Sequence, residues 1–216
     1  MSETIQLSNV RLSFPKVIEA LAPQNTPNGA KKFGADFLLP ANHPDYARFM
    51  AEVGKAATEK WKEQAGTILG LIQPDRKMRC YGNGNEKVDK KTLKPYTGYE
   101  GVAYLTASSN DERPPIMIRA DGTVCDNANT MERQQLARKL YGGCYVNVAL
   151  RPWIQDNSFG RAVRCELVAI QFAKDGEAFG EAAVDLTGKF GAVEQPAAVP
   201  AFGAAQPAAQ KMPWEV

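Results

Sequence analysis

Apolar and polar positions alternate along YVNVALRPWIQDNSFGRAVRCELVAIQF, residues 145–172, on both sides of a polar turn, QDNSFGR. Strand side chains point alternately to opposite faces, so this period of two predicts a hairpin. In its first strand Val146, Val148, Leu150 and Ile154 make an aliphatic face; Tyr145, Asn147, Ala149, Arg151 and Trp153 make the other. A Trp on the non-aliphatic face needs a cover, because a bare aromatic surface invites association. The cover is either a helix of the same chain, which would make Trp153 core, or a ligand.

The same reading predicts strands at 4–14, 32–40, 78–81, 101–108, 115–120 and 123–125. In TIQLSNVRLSF the period slips at Ser8-Asn9, as a β-bulge would make it. Asp121-Gly122 supplies the turn between the last two pieces, and PQNTPNGAKK, rich in turn formers, is a loop. Tyr46, Phe49, Met50, Val53, Ala57 and Trp61 recur at three- and four-residue steps, which predicts a helix over 42–66. Asn42 is its expected N-cap and Gly66 its expected stop. A second, shorter helix is predicted in TMERQQLARKLYGG, capped by Thr130. The strands follow one another through turns rather than through one helix each. That favours a mainly β fold, an antiparallel barrel or sandwich with inserted helices, over a doubly wound sheet.

After Lys174 the chain turns to Ala, Gly, Pro and Gln, and no large side chains recur at a helical or strand period. Such a stretch cannot offset its ordering entropy by burial. The expected organisation is an ordered body, 1–180, and a disordered tail, 181–216, that ends in KMPWEV. Within the 216 residues, 44% hydrophobic and 23% charged fit a soluble globular protein. No apolar run approaches the roughly 20 residues that span a bilayer. MSETIQLSNV shows no basic start followed by an apolar stretch, so a cytosolic location is expected.

Charge sharpens the picture. Residues 1–172 hold 23 Lys and Arg against 18 Asp and Glu; the remainder holds 3 against 6. Within 76–99 lie Arg76, Lys77, Arg79, Lys87, Lys90, Lys91 and Lys94, opposed by Glu86 and Asp89, with Tyr81, Tyr96 and Tyr99 interleaved. Cationic side chains gain from counterion release at phosphates, and aromatic rings offer a face on which any base stacks. The plainer reading is a solvated loop whose lysines keep it soluble. Arg151, Trp153, Phe159, Arg161 and Arg164 on the hairpin weigh toward nucleic acid.

Other chemistry finds little support. Cys80, Cys125, Cys144 and Cys165 are far apart in sequence, which does not match zinc spacing; reduced, buried thiols are expected. His43, the single histidine, lies at the expected helix start and reads as structural. The glycines of YGNGN and TGYEG match no phosphate-binding motif. With no nucleophile, base or carboxylate cluster apparent, no enzyme and no cofactor are expected.

NVRLSFP, KFGADFLLP and YGGCYVNVALRPW, followed by GRAVRCELVAIQFAKDGEAFG, resemble the single-stranded DNA-binding proteins of tailed bacteriophages, over roughly residues 4–180. The resemblance implies an OB-fold, a small antiparallel barrel with an inserted helix, and largely sequence-independent binding of single-stranded DNA. The setting it implies is phage replication, recombination and repair, in the cytoplasm of the infected host. The residues placed to carry this role are Arg79, Tyr81, Lys90, Lys91, Lys94, Tyr96, Tyr99, Arg151, Trp153 and Arg161. Relatives of this kind often end in an acidic tail with a terminal aromatic that recruits replication partners. Here Met212, Pro213 and Trp214 keep a Pro-aromatic core without the acidic run, so partner docking is expected and competition with DNA is doubtful. The alternative function is a phage structural or assembly protein that uses the aromatic face for protein contacts.

Overall fold

The computed structural model describes residues 2–22 and 29–180. Its chain order is β1 (Ile5–Leu21), β2 (Lys32–Leu39), α1 (Pro44–Trp61), α2 (Ala65–Ile72), β3 (Tyr81–Asn83), β4 (Ala103–Asn110), β5 (Ile116–Ile118), α3 (Thr130–Ala137), β6 (Tyr145–Asn157) and β7 (Gly160–Lys174). β1 pairs antiparallel with β2 and with β6, β2 with β4, and β6 with β7. A parallel bridge between Ser108 and Glu166 joins β4 to β7 and closes the ring β1-β2-β4-β7-β6. β3 extends β4, and β5 runs parallel to β7. The result is mainly β and OB-fold-like, with α1 and α2 inserted between the second and third barrel strands.

The alternation read from the sequence fills the barrel. Val146, Val148 and Leu150 are buried, whereas Tyr145, Asn147 and Arg151 are half-buried and Trp153 is exposed. Leu7, Leu12, Phe37, Leu105 and Leu167 join them, and the stripe Phe49, Val53, Ala57 and Trp61 of α1 merges into the same core. Each fully buried large side chain contributes about 1.5–3 kcal/mol. α1 packs on β6 and β1, and Trp61 Nε1 donates to Asp156 Oδ2 at 2.9 Å. The helix does not cover Trp153, so the reading of that ring as core is set aside.

Several local expectations need correction. α1 is capped by His43, whose Nδ1 accepts the Asp45 amide, rather than by Asn42. It ends at Lys62, in a positive-φ conformation, and Gly66 lies inside α2 instead of stopping a helix. α2 restarts because Ala65, Ile68 and Ile72 form a new buried stripe. Asn129, not Thr130, caps α3. β1 continues beyond residue 14 because Val17 and Ala20 stay buried. Residues 123–125 make only an isolated bridge, Val124 to Ile118, although Gly122 takes the positive φ (+84°) of the expected turn.

The bulge at Ser8-Asn9 is present. The β1–β6 register breaks between Leu7 and Val10, and Asn9, at φ +56°, donates its amide to Asn147 Oδ1. All four cysteines are buried free thiols, and burial raises the pKa of Cys125, Cys144 and Cys165. Residues Met1–Glu181 form one compact unit. The expected disordered tail, with Met212, Pro213 and Trp214, lies outside the described residues.

Candidate nucleic-acid interface

The ladder of β4 against β2 turns Ala103, Leu105 and Ala107 inward and leaves Tyr104, Thr106 and Ser108 on the outer face. On the neighbouring strands the same face carries Glu166, Arg164, Arg151, Trp153 and Gln155, set by the register Arg151↔Glu166 and Trp153↔Arg164. Together with the segment 74–80 and the turn after β4, all of these except Arg151 line one open cleft of about 1220 Å³. Trp153 stands at its wall, 44% exposed.

The cleft is cationic. Lys32, Arg76, Lys77, Arg79, Lys87, Arg113 and Arg164 line it, against Asp75, Glu112 and Glu166. Two of the seven cations are spoken for: Arg79 pairs with Glu86 and Lys87 with Asp36. Lys32, Arg76, Lys77, Arg113 and Arg164 make no ion pair among the described residues, so their charge faces the cleft. Arg164 is aimed by its own bonds, Nε to Gln155 Oε1 at 3.0 Å and Nη1 to Lys77 O at 2.7 Å. Phosphate recognition asks for cations held in this way.

Three of the residues expected to touch DNA, Arg79, Tyr81 and Tyr99, are buried. Arg79 is buried, and its Nε, Nη1 and Nη2 donate to Gln73 O, Tyr81 O and Glu86 Oε2. It clamps the loop before β3. Tyr81 is buried in the core beneath that loop. Tyr99, 0% exposed, donates its hydroxyl to Asp36 Oδ2 at 2.6 Å. Burial and the adjacent Asp36 carboxylate push its pKa far above the usual tyrosine value. In the free protein these three side chains anchor the loop and the core, each through a bonded or packed group.

The remaining expected residues are accessible. Lys90, Lys91 and Lys94 are exposed on a small hairpin closed by the bridge Val88↔Pro95 and by Asp89 N–H to Lys94 O. Tyr96, half-buried, ends that hairpin and meets Phe14 edge-on, ring centroids 4.9 Å apart. Arg151 gives Nε and Nη2 to Glu166 Oε2, at 3.0 and 2.7 Å. Arg161 lies 3.5 Å from Asp156. Both arginines reach solvent with part of their charge balanced. Phe159, 85% exposed, marks the tip of the β6–β7 turn.

The residue list read from the sequence omits Lys32, Arg113, Thr106, Ser108 and Phe14. The alternation in AYLTASS was a usable signal for Thr106 and Ser108. Lys32 and Arg113 reach the cleft only through the barrel closure, which no local pattern reveals. Among the described residues no group of three His, Cys, Asp or Glu side chains gathers where it could hold a metal ion, and no helix is long and apolar enough to cross a membrane.

A closed OB-like barrel with an exposed tryptophan in a cation-lined cleft on its outer strands defines a single-strand nucleic-acid-binding module. Residues 3–198 match the family model described as "Enterobacter phage Enc34, ssDNA-binding protein", and the chain belongs to that family of non-catalytic phage single-stranded DNA-binding proteins. It is 33% identical over 177 residues, 81% of this chain and 85% of the relative, to "Putative protein p50" of Acyrthosiphon pisum secondary endosymbiont phage 1. Its fold is similar to that of the single-stranded DNA-binding protein from bacteriophage Enc34 in complex with ssDNA, at TM-score 0.62 and 22% identity, covering 82% of this chain and 89% of the other. It is also similar to gp2.5, a single-stranded DNA-binding protein of bacteriophage T7, at TM-score 0.50 and 11% identity, covering 90% and 100%. The alternative of a structural or assembly protein gives way to this family.

Proposed function

We propose that this protein coats single-stranded DNA through the cleft between β4, β7 and β6, with little regard to sequence, during phage replication, recombination and repair. The observation that carries the reading is the exposed Trp153 ring flanked by Arg164 and by further cations that make no ion pair among the described residues. A base stacks on the indole, and Lys32, Lys77, Arg76, Arg113 and Arg164 follow the phosphates. Lys90, Lys91 and Lys94 extend the positive track along the exposed hairpin, and Arg151 and Arg161 contribute from the strands beside it. The body 1–180 binds DNA, and the tail 181–216 carries Met212, Pro213 and Trp214 as a docking motif for replication or recombination proteins. The protein acts in the cytoplasm of the infected bacterium.

Titration of fluorescent oligo-dT at two salt concentrations, repeated with duplex DNA, tests this. The expected result is tight binding to oligo-dT that weakens steeply with salt and quenches tryptophan fluorescence. Equal affinity for duplex, or binding indifferent to salt, would overturn it.

A further inference from the structure

Phe14 lies at the break in the β1–β2 register between Ser13 and Lys16. Its backbone takes φ +46°, in the left-handed region that bulky residues rarely adopt. Its side chain is nevertheless 49% exposed. The two costs together, strain and an aromatic ring left in water, call for a use, because Gly or Asn would fill the same backbone position without them. The fold makes little use of the ring: its aromatic neighbours are Tyr96, edge-on at 4.9 Å, and Tyr99, tilted at 6.0 Å. Tyr99 is fixed from below by its bond to Asp36. Tyr96 is fixed by its amide, which donates to Lys87 O at 3.0 Å.

An edge-on neighbour leaves a face of Phe14 open. Beside it stands the hairpin that Tyr96 closes, with Lys90, Lys91 and Lys94 exposed. Neither Phe14 nor Tyr96 lines the cleft, but Lys87 does, and Lys87 is the residue to which Tyr96 is bonded. We infer that Phe14 and Tyr96 form a second stacking subsite for an unpaired base, reached by a DNA strand that runs out of the cleft past Lys87, with the hairpin lysines on its phosphates. The inference rests on the single-strand-binding reading above and adds a site to it. The occupant is a nucleobase rather than a protein side chain because the ring meets Tyr96 at the end of a hairpin that carries three exposed cations, the pairing that a base and its phosphates require.

The test uses the full chain and a series of oligo-dT from about 4 to 16 nucleotides, the range that one OB-fold covers, read by fluorescence anisotropy. Phe14→Gly is the first variant. The positive φ suits Gly, so the protein should melt no lower than wild type. Binding of the shortest oligomers should be unchanged, and binding of the longer ones should weaken by about tenfold, the order of one lost base stack. Phe14→Tyr, which keeps an aromatic face, should bind like wild type; Phe14→Leu, which keeps bulk without that face, should not. The Leu and Tyr pair decides the matter if the Gly variant proves unstable.

Trp153→Ala is the control. If it weakens binding while every Phe14 variant binds as wild type at all lengths, the second subsite is wrong and the cleft stands. If neither residue matters, the cleft reading falls as well. A Phe14→Gly loss equal at all lengths would place Phe14 in the first site and overturn the inference too.

Discussion

Trp153 and Arg164 are direct partners across the β6–β7 ladder, with both side chains on the outer face of the barrel. Cross-strand partners stand about 4.5–5.5 Å apart at Cβ, so ring and guanidinium reach the same nucleotide. Arg164 is held by Gln155 and by the Lys77 carbonyl, which leaves the indole face to the ligand. Trp153→Ala should therefore weaken oligo-dT binding by about 1–3 kcal/mol. The ring is nearly half exposed, so stability should fall by far less than the roughly 3–5 kcal/mol lost when a buried aromatic is truncated. Anisotropy titration and a thermal melt of the same variant check both halves; a large drop in melting temperature with unchanged affinity would contradict the placement.

Replacing Lys90, Lys91 and Lys94 together by Gln should act on the salt dependence. Each phosphate contact with single-stranded DNA contributes about 0.7 to the slope of log K against log salt. The triple variant should lose up to about 2 units of slope if all three lysines engage, with the largest affinity loss at low salt. The melt should hardly change, because the three side chains are exposed. An unchanged slope would remove the hairpin from the interface.

The barrel face was legible in the sequence because strands impose a strict period. Val146, Val148 and Leu150 against Arg151 and Trp153 declared which side was wet, and the Ser8-Asn9 slip announced a bulge that is there. What could not be read locally was the fate of residues in the basic loop. Arg79, Tyr81 and Tyr99 look like Lys90 and Tyr96 in composition. They differ only in tertiary position: Gly82 and Gly84 let the loop close so tightly that a Cβ at Gly84 would lie 2.0 Å from Tyr99 O. That closure swallows the first three and leaves the others outside. Phe14 is illegible for a similar reason, since in TIQLSNVRLSF it reads as one more apolar position of a strand, and its turn outward comes from a register break with β2.

The buried trio gives the opposite kind of prediction. Tyr99→Phe removes a donor from Asp36, which keeps Lys87 and Thr106. The expected cost is about 1–2 kcal/mol of stability, with affinity for oligo-dT unchanged below the melting transition. Arg79→Ala strips partners from two backbone carbonyls and the Glu86 carboxylate, and should cost about 2–3 kcal/mol. Denaturant unfolding gives the first quantity and titration at low temperature the second. Weakened binding by a folded Tyr99→Phe protein would return that residue to the interface.

Glu52 on α1 supplies a pH test that is independent of DNA. The Glu3 backbone amide donates to its Oε1 at 2.8 Å, and Lys55 lies 3.1 Å from its Oε2. The amide first, and the lysine after it, hold the Glu52 carboxyl below its ordinary pKa against the opposing effect of burial. A carboxyl whose pKa is lower folded than unfolded stabilises the fold fully above the unfolded value, and that contribution disappears as pH falls through the folded one. Glu52→Gln should thus be less stable than wild type at pH 7, by about 1 kcal/mol as for a hydrogen bond weakened from charged to neutral. At pH 3 the gap should narrow, because the wild-type carboxyl is then itself protonating. Urea unfolding of both proteins at the two pH values checks this; a gap that widened in acid would mean that the charged form of Glu52 is a burden to the fold.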